Sequence, residues 1–236
     1  MTHDAPMDLA RIAALIGQPA RAAMLGGLLG GRWLTATELA RLAGVARPTA
    51  SEHLARLVDS GLVRRRRSGR HQYHALAGPE VAGALEGLER LAARPLPADR
   101  GLSPGERALR FARTCYDHLA GRLGVLVSDT LVEQGMVSAT GSEVTPAGES
   151  LLRELDIDVD ALRRARRTYV RFCLDWSERR DHLAGAVGAA ITDAFLERGW
   201  IARMPGTRAV RLTLRGREGL YRRLGIPIER TAGDAR

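Results

Sequence analysis

Two cysteines and two histidines in the second half of the chain are the residues best suited to metal chemistry. Cys115 and His118 stand three positions apart, and similar segments later in the chain carry Cys173 and His182. The spacing of the first pair predicts that both side chains lie on one helix face. Two thiolates and two imidazoles form a donor set that suits Zn²⁺. These four residues are therefore the candidate metal ligands.

Three other uses of these segments remain open. A small organic inducer would occupy a pocket lined by Tyr116, Trp176 and the two cysteines. A redox role would need thiolates activated by a nearby cation, for which Arg113 and Arg171 are available. The last alternative is a repeated packing unit with core cysteines and capping aspartates. No cofactor is certain, and the candidate effector residues are Cys115, Tyr116, His118, Cys173, Asp175, Trp176 and His182.

The sequence around these residues is repetitive. Asp-His-Leu-Ala-Gly occurs at 117–121 and again at 181–185. Each copy is followed by patterns that predict a helix, a hairpin and a final helix. Glycines at equivalent positions of both copies are expected to allow close approach of helices: Gly121, Gly124, Gly185 and Gly188. Residues 106–236 are thus predicted to form a tandem of helix–hairpin–helix units that dimerises, senses an effector or does both.

The first 94 residues carry local signals for two short helices and a ribbon. Thr35 and Glu38 have the spacing of a capping box, and Gly44 is suited to end the helix. Arg47-Pro48 opens a second helix that stops near Gly61. Two strands with a turn between them follow, and a further helix reaches about residue 93. The residues expected to share one small core are Leu39, Leu42, Val45, Ala50, Leu54 and Leu57.

The other face of the second helix presents short polar and cationic side chains that can reach base edges in the major groove. Four consecutive arginines, 64–67, follow on the ribbon and place two guanidinium groups on each face. One pair can follow the phosphates, although a charge run can also serve solubility alone. The predicted DNA contacts are Arg47, Pro48, Thr49, Ser51, Glu52, His53, Arg56, Arg64, Arg65, Arg66, Arg67, Arg70, His71 and Tyr73.

Residues from about 21 to 76 resemble the ArsR/SmtB family of bacterial winged-helix repressors. The resemblance is carried by Thr49–Leu57, by Gly61-Leu62-Val63 and by the basic ribbon with Gly69-Arg70. It implies a homodimeric repressor that binds a short inverted repeat in double-stranded DNA and releases it when an inducer binds. The family's usual metal positions do not carry over, because residues 38–43 hold no cysteine and 78–93 hold neither histidine nor cysteine.

Composition agrees with a basic regulator of two domains. The 236 residues carry a net charge of +9, which favours an anionic partner such as nucleic acid. All 36 basic residues are arginine, so the position of the arginines is more informative than their number. The predicted division is a winged helix-turn-helix domain over 1–94, a linker over 95–105 and a C-terminal domain over 106–236. The fold class is mainly α with small β-hairpins (α+β).

Other classes of protein are disfavoured by what the sequence lacks. Two cysteines make no disulfide framework, and no apolar run approaches a membrane span, so a cytoplasmic protein without a membrane partner is expected. No catalytic motif is found, which predicts a protein that is not an enzyme. The remaining alternative is an architectural protein that binds DNA regardless of sequence.

Overall fold

The structure, a computed structural model, describes residues 9–69, 71–92 and 102–228. The chain divides into two compact units, Met1–Leu88 and Glu89–Arg236, here called the N-terminal and C-terminal units. No helix in the described residues is long and apolar enough to span a lipid bilayer.

The elements up to residue 92 follow the order of a winged helix-turn-helix. The helices are α1 (Leu9–Ile16), α2 (Pro19–Leu28), α3 (Ala36–Ala43), α4 (Arg47–Asp59) and α5 (Pro79–Ala92). The strands are β1 (Leu34–Thr35), β2 (Val63–Ser68) and β3 (His71–Leu76), which form an antiparallel sheet in the order β1-β3-β2. The register pairs Val63 with Leu76 and Ser68 with His71.

Local chemistry explains where the two central helices begin and end. The Thr35 hydroxyl accepts from the Glu38 amide while the Glu38 carboxylate accepts from the Thr35 amide, so the predicted capping box is present. Gly44 ends α3 with φ of 64°, a left-handed conformation that glycine adopts without strain. Pro48 lies in the first turn of α4, where its missing N–H costs nothing.

The core of this unit differs in membership from the predicted one, since α2 adds buried residues such as Met24, Leu25 and Leu28. Leu39, Ala50, Leu54 and Leu57 are buried as expected. Leu42 is 37% exposed and Val45 is only partly buried, so their assignment to the core was wrong. Leu42 nevertheless contacts α2, since a Cβ built at Gly27 would lie 2.7 Å from its Cδ1 atom.

The C-terminal unit continues with short hairpins between helices. Its helices are α6 (Pro104–Phe111), α7 (Gly121–Glu133), α8 (Pro146–Glu154), α9 (Val159–Arg164), α10 (Gly185–Glu197) and α11 (Leu214–Leu224). Its strands are β4 (Arg113–Cys115), β5 (His118–Ala120), β6 (Arg171–Leu174), β7 (Asp181–Ala184), β8 (Ile201–Arg203) and β9 (Val210–Leu212), paired as three antiparallel hairpins.

The predicted linker over 95–105 ends earlier than the sequence suggested. Residues 93–101 lie outside the described part of the chain. Pro104 and Gly105 belong to α6, which begins with a capping box between Ser103 and Glu106. The proline that favoured a linker therefore occupies a first helical turn, which is a position that tolerates it.

The segments that hold the cysteines and histidines are hairpins, so the assignment of Cys115 and His118 to one helix face was wrong. We call β4–β5 (residues 113–120) the first hairpin and β6–β7 (171–184) the second hairpin. In the first hairpin Cys115 pairs directly with His118 across a two-residue turn, where Tyr116 adopts a φ of 57°. Every residue of β4 and β5 is buried, so the alternation that identifies a half-buried strand is absent.

Each hairpin packs against the helix that follows the other hairpin. Strand β7 contacts α7, and strand β5 contacts α10. The Leu183 amide of β7 donates a hydrogen bond of 2.6 Å to the Ser128 hydroxyl of α7. After each of these hairpins the chain forms a helix, a second paired segment and a final helix. In the first copy these are α7, a single bridge between Val137 and Val144, and α8; in the second they are α10, the β8–β9 hairpin and α11. The hairpin that precedes each helix was not part of the prediction.

Two of the glycines shared by the two segments, Gly124 and Gly188, allow a helix to approach hairpin backbone, whereas Gly121 lies against the backbone of helix α6 at Arg110 and Phe111. A Cβ at Gly124 would lie 2.5 Å from the Leu119 carbonyl oxygen, and one at Gly188 would lie 2.5 Å from that of Leu183. Such distances force the backbone to move.

We expect Gly188→Ala to destabilise the protein by about 1–3 kcal/mol, because the new methyl group would overlap the carbonyl of Leu183. Thermal or urea unfolding of the full chain measures this. Gly26→Ala is the control: it also lies inside a helix but has open space around its Cβ, so it should stabilise by about 0.5–1 kcal/mol. Equal effects of the two substitutions would contradict the packing described.

Candidate functional site

The exposed face of α4 carries most of the predicted base-reading residues. Ala50, Leu54 and Leu57 anchor the helix in the core, which turns the remaining positions outward. The Ser51 hydroxyl donates to the Arg47 carbonyl one turn earlier at 3.1 Å, so its oxygen can still accept from a ligand. The predicted residues that are exposed on this helix are Arg47, Pro48, Thr49, Ser51, Glu52 and Arg56.

His53 is the exception on this helix. It is only partly exposed, and its Nδ1 lies 3.4 Å from the guanidinium of Arg21. Arg21 is itself buried and donates to the carbonyls of Leu15 and Ala14, at 2.6 and 2.9 Å. His53 therefore also contacts the α1–α2 corner of its own unit while it stays partly exposed on α4.

The β2–β3 ribbon carries the arginine run on its exposed surface. Arg64 and Arg66 lie over the indole of Trp33, with guanidinium carbons 5.0 and 4.4 Å from the ring centroid. Arg65 and Arg67 point to the opposite face, as the alternation of a strand requires. His71 and Tyr73 make an edge contact on β3, with ring centroids 6.3 Å apart. The predicted Arg70 lies outside the described residues.

In the C-terminal unit, the four candidate metal ligands come together. One donor atom from each of Cys115, His118, Cys173 and His182 lies within 4.8 Å of the others. We call these four residues the Cys/His cluster. Each hairpin supplies a cysteine and the histidine paired with it across the strands. The two imidazoles stack with centroids 5.0 Å apart and planes inclined by 26°.

The cluster is enclosed by protein. Its four side chains belong to residues that are 0–6% exposed. Burial lowers the pKa of His182, which favours the neutral imidazole. The adjacent Cys115 thiol, followed by the two imidazoles, lowers the pKa of the Cys173 thiol against the opposing effect of burial. Neutral imidazole and thiolate are the forms that bind metals.

A carboxylate lies behind each histidine. Asp117 Oδ1 is 3.3 Å from Nδ1 of His118, and the Arg167 guanidinium donates to both oxygens of Asp117. Burial opposes ionisation of Asp117, but the hydrogen bonds from His118 and Arg167 lower its pKa to about 2.

The second carboxylate is held more tightly. Asp175 Oδ2 lies 3.6 Å from Nδ1 of His182 and accepts from the Gly121 amide at 2.7 Å, at the start of α7. Arg113 donates to both Asp175 oxygens at 2.8 Å, and Ser177 donates to Oδ1 through its amide and its hydroxyl. Despite burial, the guanidinium and these donors hold the pKa of Asp175 well below its usual range.

The remaining predicted effector residues lie around the cluster. Tyr116 occupies the turn of the first hairpin. Trp176 stacks on Arg113, whose guanidinium carbon is 4.5 Å from the ring centroid, so it supports Asp175 indirectly. An open groove of about 370 Å³ lies nearby on the same unit, but its lining is different: Ser128, Asp129, Val132, Glu133, Ala139, Phe172, Arg180 and Asp181.

Comparison with known proteins places the chain in a family. Residues 16–66 match the model of a helix-turn-helix domain. The HTH-type transcriptional regulator YdfF of Bacillus subtilis (strain 168) is 41% identical over 223 residues, which cover 94% of this chain and 99% of that protein. The chain belongs to the family of HTH-type transcriptional regulators. It is a DNA-binding transcriptional regulator with a winged helix-turn-helix in its N-terminal unit.

Two further relatives match a smaller part of the regulator. A protein of Streptomyces lividans, named a probable mercury resistance operon repressor, is 35% identical over 98 residues, covering 42% of this chain and 72% of that one. The structure of the transcriptional repressor BigR from Xylella fastidiosa is similar at 25% identity, with a TM-score of 0.33, over 36% of this chain and 85% of that one.

Replacement of Arg64–Arg67 by alanine should weaken binding to every DNA sequence, because phosphate contacts carry no sequence information. The slope of log affinity against log salt should flatten by about 0.9 for each phosphate that is no longer neutralised. Fluorescence anisotropy over a salt series measures both. The double variant Arg215→Ala/Arg222→Ala removes exposed charges of α11 in the C-terminal unit and should leave the slope unchanged. An unchanged slope in the Arg64–Arg67 variant would reject the assignment.

Proposed function

We propose that this regulator is a dimeric repressor that binds an inverted-repeat operator and leaves it when an effector binds its C-terminal unit. The observation that carries the DNA-binding part is the exposed face of α4 beside the arginine-bearing ribbon. A protein that bound DNA by charge alone would have no use for Thr49, Ser51 and Glu52 on that face. The small hydroxyl groups favour close approach to base edges.

A second copy of the chain is supported by the surface of α1. This helix has the sequence LARIAALI, yet none of its residues is buried in the described structure. Leu9 is 68% exposed, and the helix thus presents an apolar face that a dimer would cover. A dimer also suits the geometry of major-groove recognition, because two helices contact half-sites about one helical turn apart.

We propose a metal ion at the Cys/His cluster as the effector. The support is the enclosed set of two thiols and two imidazoles in the C-terminal unit. The name of the Streptomyces lividans relative, which refers to mercury resistance, agrees with a metal effector. A thiol-containing cluster is also the kind of site that soft and borderline metal ions select.

Ser51→Ala and Arg47→Ala should each cost on the order of 1–3 kcal/mol of DNA binding at particular base pairs, because each side chain reaches a base edge. Footprinting should show two symmetric half-sites, and binding to operators with single base changes identifies the base pairs that each side chain reads. Glu80→Ala, an exposed change at the start of α5, is the control and should have no such effect. A uniform loss across sequences would mean that another element reads the bases.

After removal of metal with a chelator, the regulator should bind its operator, and one equivalent of Zn²⁺ or Hg²⁺ should reduce that affinity at least tenfold, or by about 1.4 kcal/mol. Anisotropy of a labelled operator measures the change. The matched variant Cys115→Ser should bind the operator but no longer respond. An ion that binds with one equivalent and leaves operator affinity unchanged would refute the effector role without affecting the metal site.

A further inference from the structure

The Cys/His cluster combines four donors from two hairpins. This arrangement also predicts the coordination number, the geometry and the ligand atoms of a bound metal ion. Cys115 and His118 are opposite each other on the first hairpin, and Cys173 and His182 are opposite each other on the second. The four donor atoms lie within 4.8 Å of one another, so one ion can reach all four. Four protein donors are the number that a tetrahedral site requires.

The burial of the cluster restricts the coordination number. None of its four residues is more than 6% exposed, so the protein supplies all ligands and leaves little room for water. Closed four-ligand sites with Cys₂His₂ donors are typical of Zn²⁺. Two thiolates also balance the charge of one divalent cation, which lowers the cost of placing it in the interior.

One histidine has a nitrogen that the described protein groups leave unsatisfied. His182 is fully buried, and its Nε2 has no hydrogen-bond partner among the described residues. A buried polar atom of this kind requires a partner, because nothing else replaces the water that it loses on burial. A metal ion within reach of the two thiols would provide that partner.

The carboxylates identify the ligand atoms. Asp117 lies within hydrogen-bond distance of Nδ1 of His118, at 3.3 Å, whereas Asp175 lies 3.6 Å from Nδ1 of His182 and makes an electrostatic contact only. Each carboxylate is thus on the Nδ1 side of its ring, and we assign Nε2 of each ring to the metal. Carboxylates behind ligating histidines fix the ring orientation and make the other ring nitrogen more basic. Each carboxylate is neutralised by an arginine, Arg167 for Asp117 and Arg113 for Asp175, so the surrounding shell adds no net charge.

The alternatives leave part of this arrangement unexplained. A pair of packed core cysteines does not require two stacked histidines, each backed by an ionised aspartate. A disulfide would use only the thiols and would leave the unsatisfied nitrogen of His182 as it is. An ion bound by the thiolates alone would give the histidines no role.

We propose that the C-terminal unit binds one Zn²⁺-class divalent ion in a tetrahedral site formed by the thiolates of Cys115 and Cys173 and by Nε2 of His118 and His182. The ion cross-links the two hairpins, and Asp117 and Asp175 are positioning residues for the histidines. This inference deepens the proposed function, since the ion is the proposed effector, but the binding itself requires no DNA.

The first test uses the unmodified full chain and Co²⁺ as a spectroscopic probe for Zn²⁺. The chain is freed of metal under reducing conditions and titrated with Co²⁺. We expect saturation at one equivalent, with the intense visible bands of tetrahedral Co²⁺ and a near-ultraviolet thiolate-to-cobalt band, both abolished by one equivalent of Zn²⁺. Elemental analysis of protein purified without added metal should agree. The weak bands of octahedral Co²⁺, or less than a tenth of an equivalent of any metal together with no binding on titration, would overturn the proposal.

Two variants separate the ligands from their surroundings. His182→Asn should lower Zn²⁺ affinity at least a hundredfold, whereas wild-type affinity would show that the thiolates alone hold the ion and would refute the four-ligand site. His53→Gln, which changes a histidine of the N-terminal unit, is the control and should bind like the wild type. Both are measured by competition with a chromophoric chelator.

Asp117→Asn tests positioning, because this carboxylate is partly exposed and its loss is tolerated better than that of a fully buried charge. We expect Zn²⁺ affinity to fall about 10–100-fold while the tetrahedral Co²⁺ spectrum is retained. An unchanged affinity would remove Asp117 from the site. If the spectrum confirms the site but operator binding does not respond to the ion, the metal site stands and its role as effector fails.

Discussion

The buried ion pair between Arg113 and Asp175 is the interaction on which the C-terminal unit most depends. Both side chains are at most 1% exposed. The pair joins β4 of the first hairpin to the residue that directly follows β6 of the second hairpin. The same carboxylate accepts from the first amide of α7 and lies beside His182. Removal of one partner from such a pair costs about 3–5 kcal/mol, because the other charge is left buried and unpaired. The geometry of the Cys/His cluster therefore depends on an electrostatic contact outside it.

In the N-terminal unit, the residues that pack in the core and the residues that face outward lie on opposite faces of the same helix, α4. Ala50, Leu54 and Leu57 bury one side of α4, so the polar side chains opposite them are free of packing constraints. The arginines of β2 also fall into two sets. Arg64 and Arg66 stack on the Trp33 ring, while Arg65 and Arg67 lie on the other face of the strand. Guanidinium groups placed by an aromatic surface lose less side-chain entropy when they bind phosphate.

The sequence predicted the elements whose signals are local. The capping box at Thr35, the glycine at position 44 and Pro48 set the bounds of α3 and α4 through contacts within a few residues. The first hairpin was missed because its strands are short and buried on both faces, and because residues three apart can also meet across a two-residue turn. In the second hairpin, β6 has only four residues, of which Cys173 alone is buried, so it gives no clear alternation either. The four members of the cluster were identified since thiols and imidazoles share a coordination chemistry in any secondary structure. Asp175 and Arg113 were also singled out, but the pairing of Asp117 with Arg167 and of Asp175 with Arg113 was not, because the partners are 50 and 62 residues apart in sequence.

The two hairpins pair their cysteine and histidine in the same manner with loops of very different length. Only residues 116 and 117 separate the donors of the first hairpin, whereas 174–181 separate those of the second. A search pattern with fixed intervals would classify the two as unrelated, although strand register makes them equivalent. The longer loop also accommodates Asp175 and Ser177. Any survey for related centres should thus be written in terms of cross-strand partners, with the intervening length left variable.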